Sequence, residues 1–381
     1  MRPGFLVPFL DPRPAGVGIY IEEIGRRLCA RLPGTIVYTP RPERLPSWLA
    51  PEQLRVIPSG RPSLGLAGAQ RRLARLAWLA GPARLAFARD GVDVFLSPVA
   101  EGPLFPGVPS VLVVHDLTAL RYPEGYQRAT VLQTRWGLPL MARHAAALVA
   151  VSENTRRDLV RELGLPAAKI TVVGEGYDAA TFFPRGAEAI AAVRAKFALT
   201  QPYLFYAGTL SRHKNLALVL EALAALTPEF PTLEFVHAGR RDVGIGGELE
   251  RAAARLGVSA RYRSLDYVSR DELATLMSGC AAFVYPSRYE GFGLAPLEAM
   301  ACGAPVVASR VASLPEVVGA GGALVDEGEP WAGPMGRVLR GPRGEWTARA
   351  RAQASRFDWD RAVDGLIECM QQAREVVRDA S

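Results

Sequence analysis

Short apolar runs alternate with stretches whose apolar positions recur every three or four residues, from one end of the chain to the other. Runs of the first kind predict buried strands, and stretches of the second kind predict amphipathic helices. The strand candidates in the first half are Gly4–Phe9, Ile36–Tyr38, Arg55–Ile57, Val92–Leu96, Ser110–Val114, Ala147–Val151 and Ile170–Val173. In the second half they are Tyr203–Tyr206, Leu233–His237, Ala260–Ser264, Ala281–Tyr285, Pro305–Ala308 and Gly322–Val325. Strands separated by helices imply parallel pairing, and each half holds enough for one doubly wound sheet. The predicted fold is α/β, with two Rossmann-like parallel-sheet domains. A break falls at Gly174-Glu175-Gly176-Tyr177-Asp178 and continues through Thr181-Phe182-Phe183-Pro184-Arg185-Gly186. It places domain one at 1–185 and domain two at 186–356, with a terminal helix over about 357–381.

The 381 residues suit two such domains, and 49% apolar content supplies ordinary cores. Met1-Arg2-Pro3-Gly4 leads straight into a strand with no signal-peptide pattern, and no apolar run reaches the ~18 residues that span a bilayer. Cys29, Cys280, Cys302 and Cys369 lack zinc-like spacing and are expected to be free thiols in a reducing cytoplasm. The net charge of +7 lies wholly in residues 1–184, with 22 Lys/Arg against 15 Asp/Glu; residues 185–381 hold 23 of each. Gln53 to Arg89 contains seven Arg and no acid, and Gln70–Leu79 reads as a basic amphipathic helix. Two readings stay open. The leucines and Trp78 face a core and the arginines are solvated, or Arg55–Arg89 is drawn to anionic lipid or a phosphate-bearing acceptor. No nucleic-acid-binding motif accompanies the charge.

The densest chemistry runs from Glu290-Gly291-Phe292-Gly293-Leu294-Ala295-Pro296-Leu297-Glu298 to Ala299-Met300-Ala301-Cys302-Gly303-Ala304-Pro305-Val306-Val307. A strand ends just before it. Two glycines leave a bare backbone, and Pro296 suits a helix's first turn, where Glu298 is also placed. Free N–H groups and the dipole's positive end favour a phosphate at Gly293 and Leu294. Glu290 and Glu298 bracket that place and can accept hydrogen bonds from sugar hydroxyls.

This run resembles the Glu-x7-Glu motif of retaining glycosyltransferases of family 4 (glycosyl transferases group 1). The resemblance implies the GT-B arrangement, in which two Rossmann-like domains face each other across a cleft and close over substrate. The 174–178 segment is similar to the family's interdomain linker, usually Asn-Gly-Val-Asp, with Glu175 for Asn and Tyr177 for Val. The family's terminal Trp-containing segment, here Phe357-Asp358-Trp359, returns to the first domain and completes it.

Further candidates fall where ligands of doubly wound sheets bind, outside the carboxyl ends of strands. Gly16 and Gly18 follow the first strand and let backbone approach a diphosphate or sugar. His115 and Asp116 end the strand Val111–Val114. By resemblance His115 contacts the donor sugar, while Asp116 caps a helix or orients His115. The His-Asp-Leu and Tyr122-Pro123-Glu124 context is similar to the mannosyltransferase branch. Ser152-Glu153-Asn154-Thr155 reads either as a helix cap or as an acceptor-side segment. Arg212 and Lys214, in the loop after Tyr203–Tyr206, supply charge for a leaving diphosphate; His213 interrupts the family's adjacent Arg-Lys. Leu265-Asp266-Tyr267-Val268 falls at the family's base-contacting loop. Asp358-Trp359-Asp360 copies a metal-binding pattern of another fold and is read as a helix cap.

Taken together, the resemblance implies a retaining hexosyltransferase with the donor on domain two and the acceptor on domain one. The expected donor is a nucleotide sugar, GDP-mannose first and a UDP- or dTDP-sugar second. The expected acceptor is a saccharide or polyprenyl-linked glycan of cell-envelope polysaccharide synthesis. Glu298 would hold ribose, Glu290 and His115 the sugar, and Arg212, Lys214, Gly293 and Leu294 the diphosphate. No cofactor or metal is expected. Two other classes share the architecture: a sugar-nucleotide epimerase and a non-catalytic carbohydrate-binding protein.

Overall fold

Among the described residues of the computed structural model, thirteen strands form two wholly parallel sheets. It describes every residue except 9–15, 41–45, 58–66, 106, 240–246 and 380–381, and omits the side chains of 67–72 and 377–379. The first sheet contains β1 (Pro3–Leu6), β2 (Ile36–Thr39), β3 (Leu54–Val56), β4 (Val94–Ser97), β5 (Ser110–Val114), β6 (Ala147–Ala150) and β7 (Ile170–Val172). Their order is β3-β2-β1-β4-β5-β6-β7. The second contains β8 (Tyr203–Ala207), β9 (Glu234–Ala238), β10 (Tyr262–Leu265), β11 (Ala282–Tyr285), β12 (Val306–Ser309) and β13 (Gly322–Val325), in the order β10-β9-β8-β11-β12-β13. Both orders reverse once, at β1/β4 and at β8/β11, which are the switch points where such sheets bind ligands. The central strands are buried along their whole length, because helices cover both faces; this explains their unbroken apolar runs.

Each predicted strand has its counterpart. The strand expected over Gly4–Phe9 ends at Leu6, and residue 9 lies outside the described residues. The one expected from Ala260 starts at Tyr262, because Ser259–Arg261 form a 3₁₀ turn.

The chain divides into Met1–Glu175 with Trp359–Ser381, and Gly176–Asp358. The sequence placed the first boundary at 185. Phe182 instead packs within the second unit, its ring 5.0 Å from the Arg270 guanidinium, and the Arg185 amide donates to Ser278 Oγ at 3.1 Å. The helix Trp359–Asp379 belongs to the first unit. Trp359 is fully buried with its ring edge-on to Tyr20, at 5.7 Å between centroids. Arg31 donates to Asp360 at 2.7 Å and also to Asp364. All four cysteines are buried and free, and burial pushes the Cys29, Cys280 and Cys302 thiols up to about 12.

Where it is described, the Arg-rich stretch is divided: Trp78, Leu79, Ala83 and Phe87 turn inward, while Leu73, Arg84, Leu85 and Arg89 stay exposed. Trp78 and Leu79 sit in a core cluster with Tyr38, Phe87 and Phe95. Arg75 is buried and forks onto Glu101, with Nε to Oε2 at 2.7 Å and Nη2 to Oε1 at 3.0 Å. Arg55 and Arg89 both reach Asp90, at 3.2 and 3.0 Å. The acids that answer this run lie just beyond it in sequence. Arg61, Arg71 and Arg72 fall outside what is described. Among the described residues no helix is long and apolar enough to cross a membrane.

Candidate active site

The second unit's site begins with two loops at its switch point. After β8, Arg212–Lys214 make one 3₁₀ turn, closed by Asn215 in the left-handed region (φ 55°). After β11, the chain runs through Ser287, Arg288 and Glu290 to Gly293. The Arg288 amide donates to the His213 carbonyl at 2.8 Å, so the two loops are clasped by backbone. Lys214 Nζ then reaches Glu290 Oε1 at 2.6 Å, with both side chains about one-seventh exposed.

Tyr285, the last residue of β11, lies under this pair. Lys214 Nζ is 3.5 Å from its hydroxyl and 5.5 Å from its ring centre. Burial above all, with the Glu290 and Glu298 carboxylates, pushes the Tyr285 phenol well above its ordinary range. The phenol stays a neutral hydroxyl at any physiological pH. Tyr206 stacks on Tyr285 with centroids 5.6 Å apart, and His237 stacks on Tyr206 at 5.7 Å. His237 is fully buried and meets the Gly208 carbonyl at 3.1 Å, which steadies the β8 loop.

The helix Leu294–Ala301 starts at Gly293, whose φ of 117° suits glycine. No side chain caps this start. A Cβ at Gly293 would also come within 3.0 Å of Leu314. The fully buried Ser313 hydroxyl lies 3.0 Å from the Glu290 carbonyl and 2.7 Å from that of Phe292, and so braces the glycine loop. Glu298 is the fifth helical residue, just past the first turn in which the sequence placed it, and is 6% exposed. Arg212 differs more. Its side chain is 64% exposed and donates to Glu248 at 2.9 Å, whereas Lys214 turns to Glu290.

In the first unit, Gly16 starts the helix Val17–Arg31 with φ 51° and no side-chain cap. Gly18 is already helical and buried. The residues before Gly16 lie outside the described ones. His115 follows β5 and is 13% exposed. Its Nδ1 lies 3.2 Å from Glu175 Oε1 and its Nε2 lies 2.9 Å from the Pro98 carbonyl. Both neighbours can accept, an arrangement that favours the doubly protonated ring. Burial opposes that charge, but the Glu175 carboxylate, the Pro98 carbonyl and Asp116 together raise the pKa above its ordinary value. The Tyr20 ring meets His115 edge-on at 4.7 Å.

Asp116 Oδ1 accepts from the Thr118 amide at 2.8 Å and so caps the next turn. Ser152 Oγ accepts from the Thr155 amide at 3.1 Å, a helix cap. The sequence did not single out Glu175 as a partner of His115, nor Tyr285, Ser313 or His237. None sits in a local pattern that marks it; each is defined by residues far away in the chain. Asp360 of the Asp-x-Asp pattern is held by Arg31 and Arg27. Among the described residues, no three His, Cys, Asp or Glu side chains gather as metal ligands would.

Two doubly wound domains, with a cation–carboxylate pair beside an uncapped helix start in the second, define a class of proteins built to hold a phosphate-bearing ligand. Residues 14–181 match the model for Glycosyltransferase Family 4, and residues 190–351 match that for Glycosyl transferases group 1. The chain is 33% identical over 268 residues to the O-antigen chain mannosyltransferase B of Escherichia coli, covering 68% of this chain and 69% of that one. It is 35% identical over 238 residues to the D-inositol 3-phosphate glycosyltransferase of Xylanimonas cellulosilytica, covering 60% and 57%. The crystal structure of Anabaena HepE in complex with UDP and glucose superposes with a TM-score of 0.75, at 21% identity over 97% of this chain and 99% of that one. The chain belongs to the family 4 glycosyltransferases and has their GT-B fold.

Proposed function

We propose that this enzyme transfers mannose from GDP-mannose, with retention of configuration, to a saccharide or polyprenyl-linked glycan. The observation that carries the site assignment is the Lys214–Glu290 pair, clasped beside the Gly293 helix start. An arriving diphosphate gives Lys214 a second anion, and the uncapped amides at Leu294 and Ala295 add donors for it. Glu290 is then available to accept from a sugar hydroxyl. Glu298, deeper in the same helix, is assigned to the ribose. His115 stands on the first unit, oriented by Glu175, which favours its charged form. No side chain is assigned as a covalent nucleophile; the departing phosphate takes the acceptor's proton. The diphosphate charge is met by Lys214 and backbone, with Arg212 joining only by leaving Glu248, so no metal is assigned.

Mannose is supported by the E. coli relative, which is named a mannosyltransferase. A UDP-sugar donor is the second reading, supported by the UDP and glucose in the Anabaena neighbour. Calorimetric titration with GDP, UDP and dTDP and their sugars separates the two: GDP-mannose should bind most tightly. Preferential UDP binding would overturn the mannose assignment. Conversion of a donor in the absence of any acceptor would point to an epimerase.

A further inference from the structure

Among the described residues of the first unit, the segment from Arg128 to His144 carries a cluster of exposed apolar side chains. A helix over Arg128–Leu132 passes through a π turn at Gln133–Gly137 into a second helix, Leu138–His144. One side of this segment is core: Leu138, Met141 and Ala142 pack against β5 and β6 residues. The other side carries Leu132, Trp136 and Leu140, at 58%, 70% and 45% exposure. A tryptophan so exposed is unusual for a surface without a partner.

Arg128, Arg135 and Arg143 are exposed on the same segment, and none forms an ion pair among the described residues. From Gly125 to Ser152 the sequence has no acidic residue. Arg135, Trp136, Leu140 and Arg143 converge on one groove of about 1010 Å³. Its one carboxylate, Glu162, is already bound by Arg121 and Arg161. At the far end Phe105, 61% exposed, packs on the His144 ring at 6.0 Å. The π turn, whose Gln133 side chain donates to Glu101 at 3.0 Å, is itself tied to the core through the buried Arg75–Glu101 pair.

We propose that this segment is the surface by which the protein docks on an anionic lipid bilayer. Apolar anchors interleaved with arginines and free of acids have the composition of an interfacial helix, with Trp136 at headgroup depth and the guanidinium groups on lipid phosphates. Charge complementarity selects an anionic bilayer over a neutral one. The docking site lies on the first unit, the one assigned to the acceptor, but the inference does not depend on which sugar is moved.

The test uses the full chain and phosphatidylcholine vesicles with and without phosphatidylserine. Co-sedimentation should be seen only with the anionic vesicles and should fade with added salt, since the Debye length is ~8 Å at physiological ionic strength. Arg128→Gln, Arg135→Gln and Arg143→Gln should each lower partitioning about fivefold. Tryptophan fluorescence should shift to the blue on anionic vesicles, and Trp136→Phe should abolish that shift while leaving the thermal melt unchanged. Equal binding to both vesicle types would overturn the proposal. So would undiminished binding by the triple Arg variant, or its loss in Arg71→Gln with Arg72→Gln instead. A fluorescence shift that follows protein concentration without vesicles would assign the face to a protein partner and also overturn it. Because the readout is binding, failure here leaves the transfer reaction untouched, and a wrong donor assignment leaves this result standing.

Discussion

Lys214 and Glu290 are each other's counter-ion across 76 positions of sequence, and this pairing sets what each substitution should do. Glu298→Ala removes an acceptor assigned to ribose, so donor affinity should fall, by ~1.5–3 kcal/mol or roughly tenfold and more. Glu290→Ala should mainly slow transfer, since the proposed partner of Glu290 is the sugar. Kinetics on both variants decide this: two wild-type-like turnover numbers with unchanged donor affinity would remove the site assignment. His115 and Glu175 make a second such pair, and its pH dependence has a definite sign. The folded His115 has a raised pKa, so its charge stabilises the fold fully below the ordinary histidine value of ~6.5. That contribution is lost as pH rises through the higher folded value. In Glu175→Gln, burial acts without the carboxylate, and the His115 pKa should drop below the wild-type value. Imidazole NMR titration reads it directly; an unmoved titration would show that Glu175 does not hold the proton.

At the scale of elements, the same short segment can be read two ways until its neighbours are known. Asp358-Trp359-Asp360 copies a metal-binding pattern, yet it opens the helix Trp359–Asp379. There Asp360 serves Arg31 and Arg27 while Trp359 enters the core. Transfer should therefore survive EDTA at full rate. Loss of turnover on chelation, restored by Mg²⁺ or Mn²⁺, would show that a carboxylate set was misassigned. The helix Ala67–Ala80 makes the same point. Leucines at helical spacing among arginines are equally compatible with a core face and a lipid face. Trp78 and Leu79 lie in the core, and Arg75 finds Glu101.

Across the whole molecule, the first unit is discontinuous and the second is a single run, Gly176–Asp358. The returning helix buries Trp359, Val363, Leu366 and Met370 completely or nearly so. A fragment of residues 1–175 should consequently fail to fold cooperatively and should recover on addition of a 359–381 peptide. Residues 176–358 should fold alone. Thermal melts followed by circular dichroism check both fragments; a cooperative melt of 1–175 by itself would show that the helix is dispensable.

The sequence by itself determined the two parallel sheets, because strands buried on both faces are written as continuous apolar runs separated by helical periodicity. It also determined the Glu290-to-Glu298 run, because loop, glycines and helix start are contiguous in the chain. Strand ends shifted by a few residues where a local turn competed, as at Ser259–Arg261. What only the tertiary structure decided are the pairings between distant residues. These include Lys214 with Glu290, Arg212 with Glu248, and His115 with Glu175, 60 positions apart. Which apolar residues stay outside was decided in the same way. Leu132, Trp136 and Leu140 resemble core residues in the linear pattern, and only packing shows them facing outward. The physical reason is common to all of these. A charge or an apolar side chain is assigned its role by what surrounds it, and long-range packing supplies those surroundings.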